Sequence, residues 1–293
     1  MLYWLNLNRV IASGVHSSLD GLSARNEDSR HHLSLWGTGY IRQAPRPLDS
    51  KAAHRRLDDG NRAFAGLLEG LTDESDAVQR VILVDPCDLG LLPDAGLPKQ
   101  HPFAAILGCS DARVPVELIF NEGPNDLFVI RVAGNGLGTE VLGSLKYAVD
   151  HLSGSLKLIV VLGHSGCGAL TAAVDVFLNP ADYLPLATKH SLRNILDGLL
   201  VVVQASAKRV REVFGSDISQ HPGYRKVLIE ASIVANAALA AYSNTARIWD
   251  QRSSGIARCI WCLPARNPSG VGTARGRYER DWIGRSASRL GGI

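Results

Sequence analysis

Two short apolar runs, each ending in a cluster of reactive side chains, constrain this chain more than any other feature. Ala104 to Leu107 leads into Cys109-Ser110-Asp111-Ala112-Arg113, and Leu158 to Leu162 leads into His164-Ser165-Gly166-Cys167. Apolar runs of this length, separated by helical patterns, read as strands of a parallel sheet buried on both faces. In an open α/β sheet, ligands collect at the carboxyl ends of such strands. The two runs therefore deliver two thiols, an imidazole, a carboxylate and a guanidinium to one edge of one sheet. Two Cys and one His form a soft donor set suited to Zn²⁺, and three protein ligands leave a fourth position for water. That is the pattern of a catalytic zinc centre.

The rest of the periodicity fits an α/β chain. Asp49-Ser50 marks a helix start, and Leu57, Phe64, Leu67, Leu68 and Leu71 then share a helical face. Residues 84–100, with Pro86, Pro93 and Pro98, read as a connecting loop. Strands are expected at 104–108, 127–132 and 157–163. Helices are expected near 115–120, at 139–152, from Gly168, at 191–214 and at 224–243. Leu192, Ile195, Leu196, Leu199 and Val203 give the helix at 191–214 its apolar stripe.

Composition excludes more than it specifies. A net charge of +3 over 293 residues is too small to argue for nucleic acid. No run approaches the roughly 18 apolar residues of a membrane helix, so no membrane partner is expected. The apolar start MLYWLNLNRVIASGV is broken by Asn6, Asn8 and Arg9 and makes a poor signal peptide. Five widely spaced cysteines do not form a disulfide framework. A reducing cytoplasm is the expected location, because metal-binding thiolates must stay unoxidised.

From about Leu57 to Ser243 the chain resembles the β-class carbonic anhydrases. The resemblance is densest in CSDARVPVELIFNEGPNDLFVIRVAGN, VLGSLKYAVDHL and LIVVLGHSGCGAL. It implies a single domain with a mainly parallel central sheet flanked by helices, and zinc held by Cys109, His164 and Cys167. It makes Asp111 and Arg113 a catalytic pair. Paired with Arg113, Asp111 accepts a hydrogen bond from zinc-bound hydroxide; released, it takes the fourth zinc position and closes the site. Gln100, Phe128 and Tyr147 stand where the family has substrate-binding residues, and Val132 and Ala133 are further candidates to line an apolar CO₂ pocket. The implied reaction is reversible hydration of CO₂ to bicarbonate and a proton. The implied assembly is a homodimer or higher homo-oligomer, with the Gln and Phe helping across the interface. Two alternatives are hydrolysis of a related heterocumulene, carbon disulfide or carbonyl sulfide, and a zinc-binding homologue impaired in catalysis.

The resemblance does not reach residues 1–49, read as a poorly ordered extension before a zinc domain at 50–245. Ser153-Gly154-Ser155 carries about two residues more than the family has there, in a loop that tolerates insertion. Beyond Ser243 the chain turns rich in Arg, without a lysine, and Trp249, Trp261 and Trp282 follow no period. We read 246–293 as an anomalous tail, the product of a frameshift or an analogous divergence, expected to leave the sheet without its final edge strand. Gly134-Asn135-Gly136-Leu137-Gly138 lacks the third glycine and acidic partner of a dinucleotide loop. Cys259-Ile260-Trp261-Cys262 has zinc or redox spacing but no second pair and is read as incidental, and Cys87 is read as a loop or core thiol.

Overall fold

The computed structural model describes residues 45–69, 88–89, 98–188, 190–248 and 256–263. The extension before Pro45, most of the 84–100 loop, Cys87, and the chain beyond Leu263 lie outside the described residues, as do the side chains of Cys259 and Cys262.

Helix α1 spans Ser50–Glu69. Asp49 starts it: its Oδ1 accepts the backbone N–H of Ala52 at 2.7 Å, the cap that a short acidic side chain supplies. Strand β1 (Ala104–Gly108), helix α2 (Val116–Phe120) and strand β2 (Leu127–Arg131) follow. A tight turn, Ala133–Asn135, leads into helix α3 (Thr139–Leu152) and strand β3 (Leu158–His164). Helices α4 (Gly168–Leu178), α5 (Tyr183–Ala187), α6 (His190–Phe214) and α7 (Tyr224–Ile248) then lead to strand β4 (Ala257–Leu263).

The sheet order is β2-β1-β3-β4, with every pairing parallel. β1 and β3 are buried along their whole length, which is why their sequences are continuous apolar runs rather than alternating ones. Ala105, Leu107, Ile159 and Val161 face one layer, with Leu145 and Val149 of α3 and Ala237 of α7. Ala104, Ile106, Val160 and Leu162 face the other, with Leu57 of α1 and Ile119 and Phe120 of α2. The two-residue period of a strand produces this split. A third cluster joins α4, α6 and α7 and contains both Cys109 and Cys167. Leu192 does not belong to it. It is 47% exposed, so the apolar stripe of α6 begins at Ile195.

The carboxyl-terminal expectation is corrected. α7 runs past the proposed boundary at 245 to Ile248, and the chain then supplies the edge strand expected to be missing. β4 pairs with β3 from Leu158↔Ala257 to His164↔Leu263. The apolar core of ARCIWCL is a short parallel strand. Its flanking arginines obscured that in the sequence, whereas the open hydrogen-bonding edge of β3 gives the segment a template.

Candidate metal centre

Parallel pairing of β1 with β3 puts the residues after Leu107 and Leu162 at the same sheet edge. Cys109, one residue past β1, His164, the last residue of β3, and Cys167, just before α4, are 5%, 4% and 3% exposed. Their ligand atoms all lie within 4.8 Å of one another. The turn between His164 and Cys167 needs a left-handed backbone at Gly166, whose φ is +69°, and glycine adopts it without steric cost. That turn folds Cys167 back toward β1.

The centre favours negative charge on one of its two sulfurs. Cys167 stands at the amino end of α4 without a capping hydrogen bond, and the nearby backbone N–H groups of Leu170 and Ala169 favour negative charge on its sulfur. The Cys109 and Cys167 sulfurs are 3.9 Å apart. A hydrogen bond with Cys167 lowers the Cys109 thiol well below its ordinary range, aided by His164 and the backbone of Gly134 and Asp111 against the opposing effect of burial. Cys167 moves the other way, because it supplies the hydrogen bond to Cys109 and is itself buried.

A soft dication that binds two thiols displaces their protons. His164 Nε2 is buried without a hydrogen-bond partner, while Nδ1 meets the carbonyl of Ser165 at 3.1 Å. An orphaned imidazole nitrogen facing two sulfurs fits a zinc ion, with Cys109, His164 and Cys167 as the residues that could hold it.

Asp111 and Arg113 sit beside this cluster in the paired arrangement. Oδ2 of Asp111 is 4.0 Å from His164 Nε2. The hydrogen bond from Arg113 holds the Asp111 carboxyl well below the usual carboxylate range, so Asp111 is an acceptor at any ordinary pH.

Not every expected site residue is brought here. Gln100 is exposed and precedes β1, at the amino end of the sheet. Phe128 is in register with Ala105, four residues before Cys109 on β1, which is about 13 Å along a strand. Tyr147 is 45% exposed and stacks with Phe128, ring centroids 6.2 Å apart. Within one chain these residues lie away from the cysteine and histidine cluster. A cavity of about 740 Å³ is lined by Val132, Asn135, Leu199 and Asn236 among others, and by none of the three ligand candidates.

Other residues shape the site without having been singled out in the sequence. Arg131, at the end of β2, donates Nε to the carbonyl of Cys109 at 2.9 Å and Nη2 to that of Asp111 at 2.5 Å. An arginine closing a strand at the sheet's carboxyl edge was the available signal. Asn236 of α7 donates to the carbonyl of Gly134 at 2.7 Å, and the backbone of Gly134 in turn hydrogen-bonds Cys109. No local pattern announces that contact across 102 residues.

A family model described as carbonic anhydrase matches residues 104–257. Carbonic anhydrase 2 of Mycobacterium tuberculosis is 40% identical over 120 residues, covering 39% of this chain and 57% of its own length. Carbonic anhydrase 1 of Escherichia coli O157:H7 is 32% identical over 197 residues, covering 58% of this chain and 86% of its own length. The solved β-carbonic anhydrase CcaA is 27% identical with a TM-score of 0.42, covering 57% of this chain and 70% of that one. The chain thus spans little more than half the length of its mycobacterial relatives, 57% in each case.

Proposed function

Since the chain belongs to the carbonic anhydrase family, we propose that it catalyses the reversible hydration of CO₂ to bicarbonate and a proton at a zinc ion held by Cys109, His164 and Cys167. The observation that carries this reading is the convergence of two buried sulfurs and an unpartnered imidazole nitrogen within 4.8 Å, with a carboxylate oxygen 4.0 Å from that nitrogen. Zinc bound there would act as a Lewis acid and lower the pKa of a coordinated water toward neutrality, less strongly than at a three-histidine site because thiolates donate more charge.

The chain's own groups then do the positioning. Asp111 Oδ1 is engaged by the backbone N–H and the Nε of Arg113. Oδ2 faces His164 and can accept a hydrogen bond from the reacting oxygen, turning its lone pair toward the carbon of CO₂. Because Asp111 stays ionised, it accepts but does not donate at this point, which fixes the direction of the proton. Release of Asp111 from Arg113 would bring it toward the fourth ligand position and close the site.

We also propose a homodimer or larger assembly. β2 is an edge strand carrying the half-buried Phe128 and Ile130, an apolar edge that a second copy could cover. Among the described residues no helix is long and apolar enough to cross a membrane. The thiolate ligands call for a reducing compartment, and the cytoplasm is the one we propose.

Stopped-flow CO₂ hydration by the full chain, with bound zinc measured and Cys109→Ala as the control, tests the reading. Fast hydration lost in the control supports it. A zinc-bearing chain that turns over carbon disulfide or carbonyl sulfide but not CO₂ would replace the substrate.

A further inference from the structure

We propose that Glu230 of α7 is a positioning residue for His164, acting through Ser165; the proposal rests on the zinc reading of the site. Ser165 donates its hydroxyl to Glu230 Oε2 at 2.6 Å, the length of a hydroxyl–carboxylate hydrogen bond. The carbonyl of the same residue meets His164 Nδ1 at 3.1 Å. The two contacts form one relay, from helix to serine to imidazole. With its hydrogen on Nδ1, His164 presents Nε2 as the free lone pair toward the two sulfurs.

Ser165 needs an anchor. The next residue, Gly166, is exposed and takes a left-handed backbone, so this turn has little packing of its own. A turned peptide plane at Ser165 would swing the imidazole or release its tautomer. Two groups grip the turn from outside it. Arg113 Nη2 reaches the carbonyl of Gly166 at 3.2 Å from one side, and Glu230 holds Ser165 from the other.

Glu230 is well placed to be rigid. α7 is 25 residues long, and Leu228, Ile229 and Ile233 around Glu230 are buried against α4 and α6. The relay therefore ties the ligand's orientation to the largest helical cluster of the fold. Groups hydrogen-bonded directly to ligand imidazoles commonly change metal affinity by about 10- to 100-fold when removed, and Glu230 acts one contact further out.

The test is competition for Zn²⁺ between a chromophoric chelator and the full chain, comparing the parent with Glu230→Ala, Glu230→Gln, Ser165→Ala and the double alanine variant. We expect each alanine variant to bind Zn²⁺ about three- to tenfold more weakly, below the effect of losing a direct partner of the imidazole. The double variant should be no weaker than either single one, and Glu230→Gln, which keeps an acceptor oxygen, should recover most of the loss. The Co²⁺ absorption bands of the alanine variants should shift, because the imidazole angle changes. Parent-like Zn²⁺ affinity in Glu230→Ala would reduce the contact to packing and overturn the proposal, whatever the melting temperature does. If that variant fails to fold, parent-like affinity in Ser165→Ala overturns it equally. Additive losses in the double variant also overturn it. A parent chain that binds no Zn²⁺ overturns the zinc reading itself, which distinguishes the two failures.

Discussion

Arg113 grips Asp111 as a fork, Nε to Oδ1 at 2.9 Å and Nη2 to Oδ2 at 2.6 Å. The same Nη2 reaches the carbonyl of Gly166, so one guanidinium links the acceptor carboxylate to the turn between His164 and Cys167. Fixing the carboxylate thus also braces the turn that sets the spacing of the ligands.

Arg113→Lys should lower kcat/KM for CO₂ hydration by roughly 10- to 100-fold, since a point charge replaces a planar two-bond contact and each charged hydrogen bond contributes about 1.5–3 kcal/mol. Stopped-flow kinetics at saturating zinc reads this directly. Activity within twofold of the parent would remove Arg113 from the catalytic pair.

Glu122 predicts a pH-dependent stability. Burial raises its carboxyl from 4.5 to about 7, in spite of the Arg56 guanidinium 2.5 Å away and with Asp126 opposing ionisation. Between pH 4.5 and 7 the folded chain therefore binds more protons than the unfolded one, and stability falls as pH rises through that window. The full cost above the window is about 3 kcal/mol. Urea unfolding at pH 5 and pH 8 should show the difference in the parent, and Glu122→Gln should flatten it.

Gly60 allows α1 to lie on α2. A Cβ there would sit 1.8 Å from the carbonyl oxygen of Phe120, which is backbone and cannot swing aside. Gly60→Ala should therefore destabilise the fold by about 3 kcal/mol, at the upper end of ordinary overpacking. The midpoint of urea unfolding measures it, and an unchanged midpoint would show that the two helices part at little cost.

A chain ending at Ile248 lacks β4 and should lose soluble yield. It exposes the edge of β3, whose backbone groups are otherwise paired out to His164↔Leu263. His164 stands at the end of that pairing, so any soluble fraction should also bind Zn²⁺ more weakly than the full chain. Chelator competition on that fraction decides it; parent-like yield and affinity would make β4 dispensable.

The sequence by itself determined where the strands that carry the site begin and end. β1 and α3 fall at their expected limits, and β3 and α6 within one residue of them, because burial periods and caps are local properties read within a few turns of chain. It also marked Cys109 and His164 as residues at strand ends, and the parallel pairing of β1 with β3 then brought them to one edge of the sheet. Tertiary packing decided the rest. It kept Phe128 and Tyr147 away from the cluster within one chain, recruited an Arg-flanked segment as β4, and set Asp111 in its paired state. It also joined Ser165 to Glu230, and Gly134 to Asn236, across 65 and 102 residues. The physical reason is that a buried strand edge or an exposed turn accepts whatever hydrogen-bonding group the packed helices and strands bring within reach, and nothing in the local pattern of either partner records which group that will be.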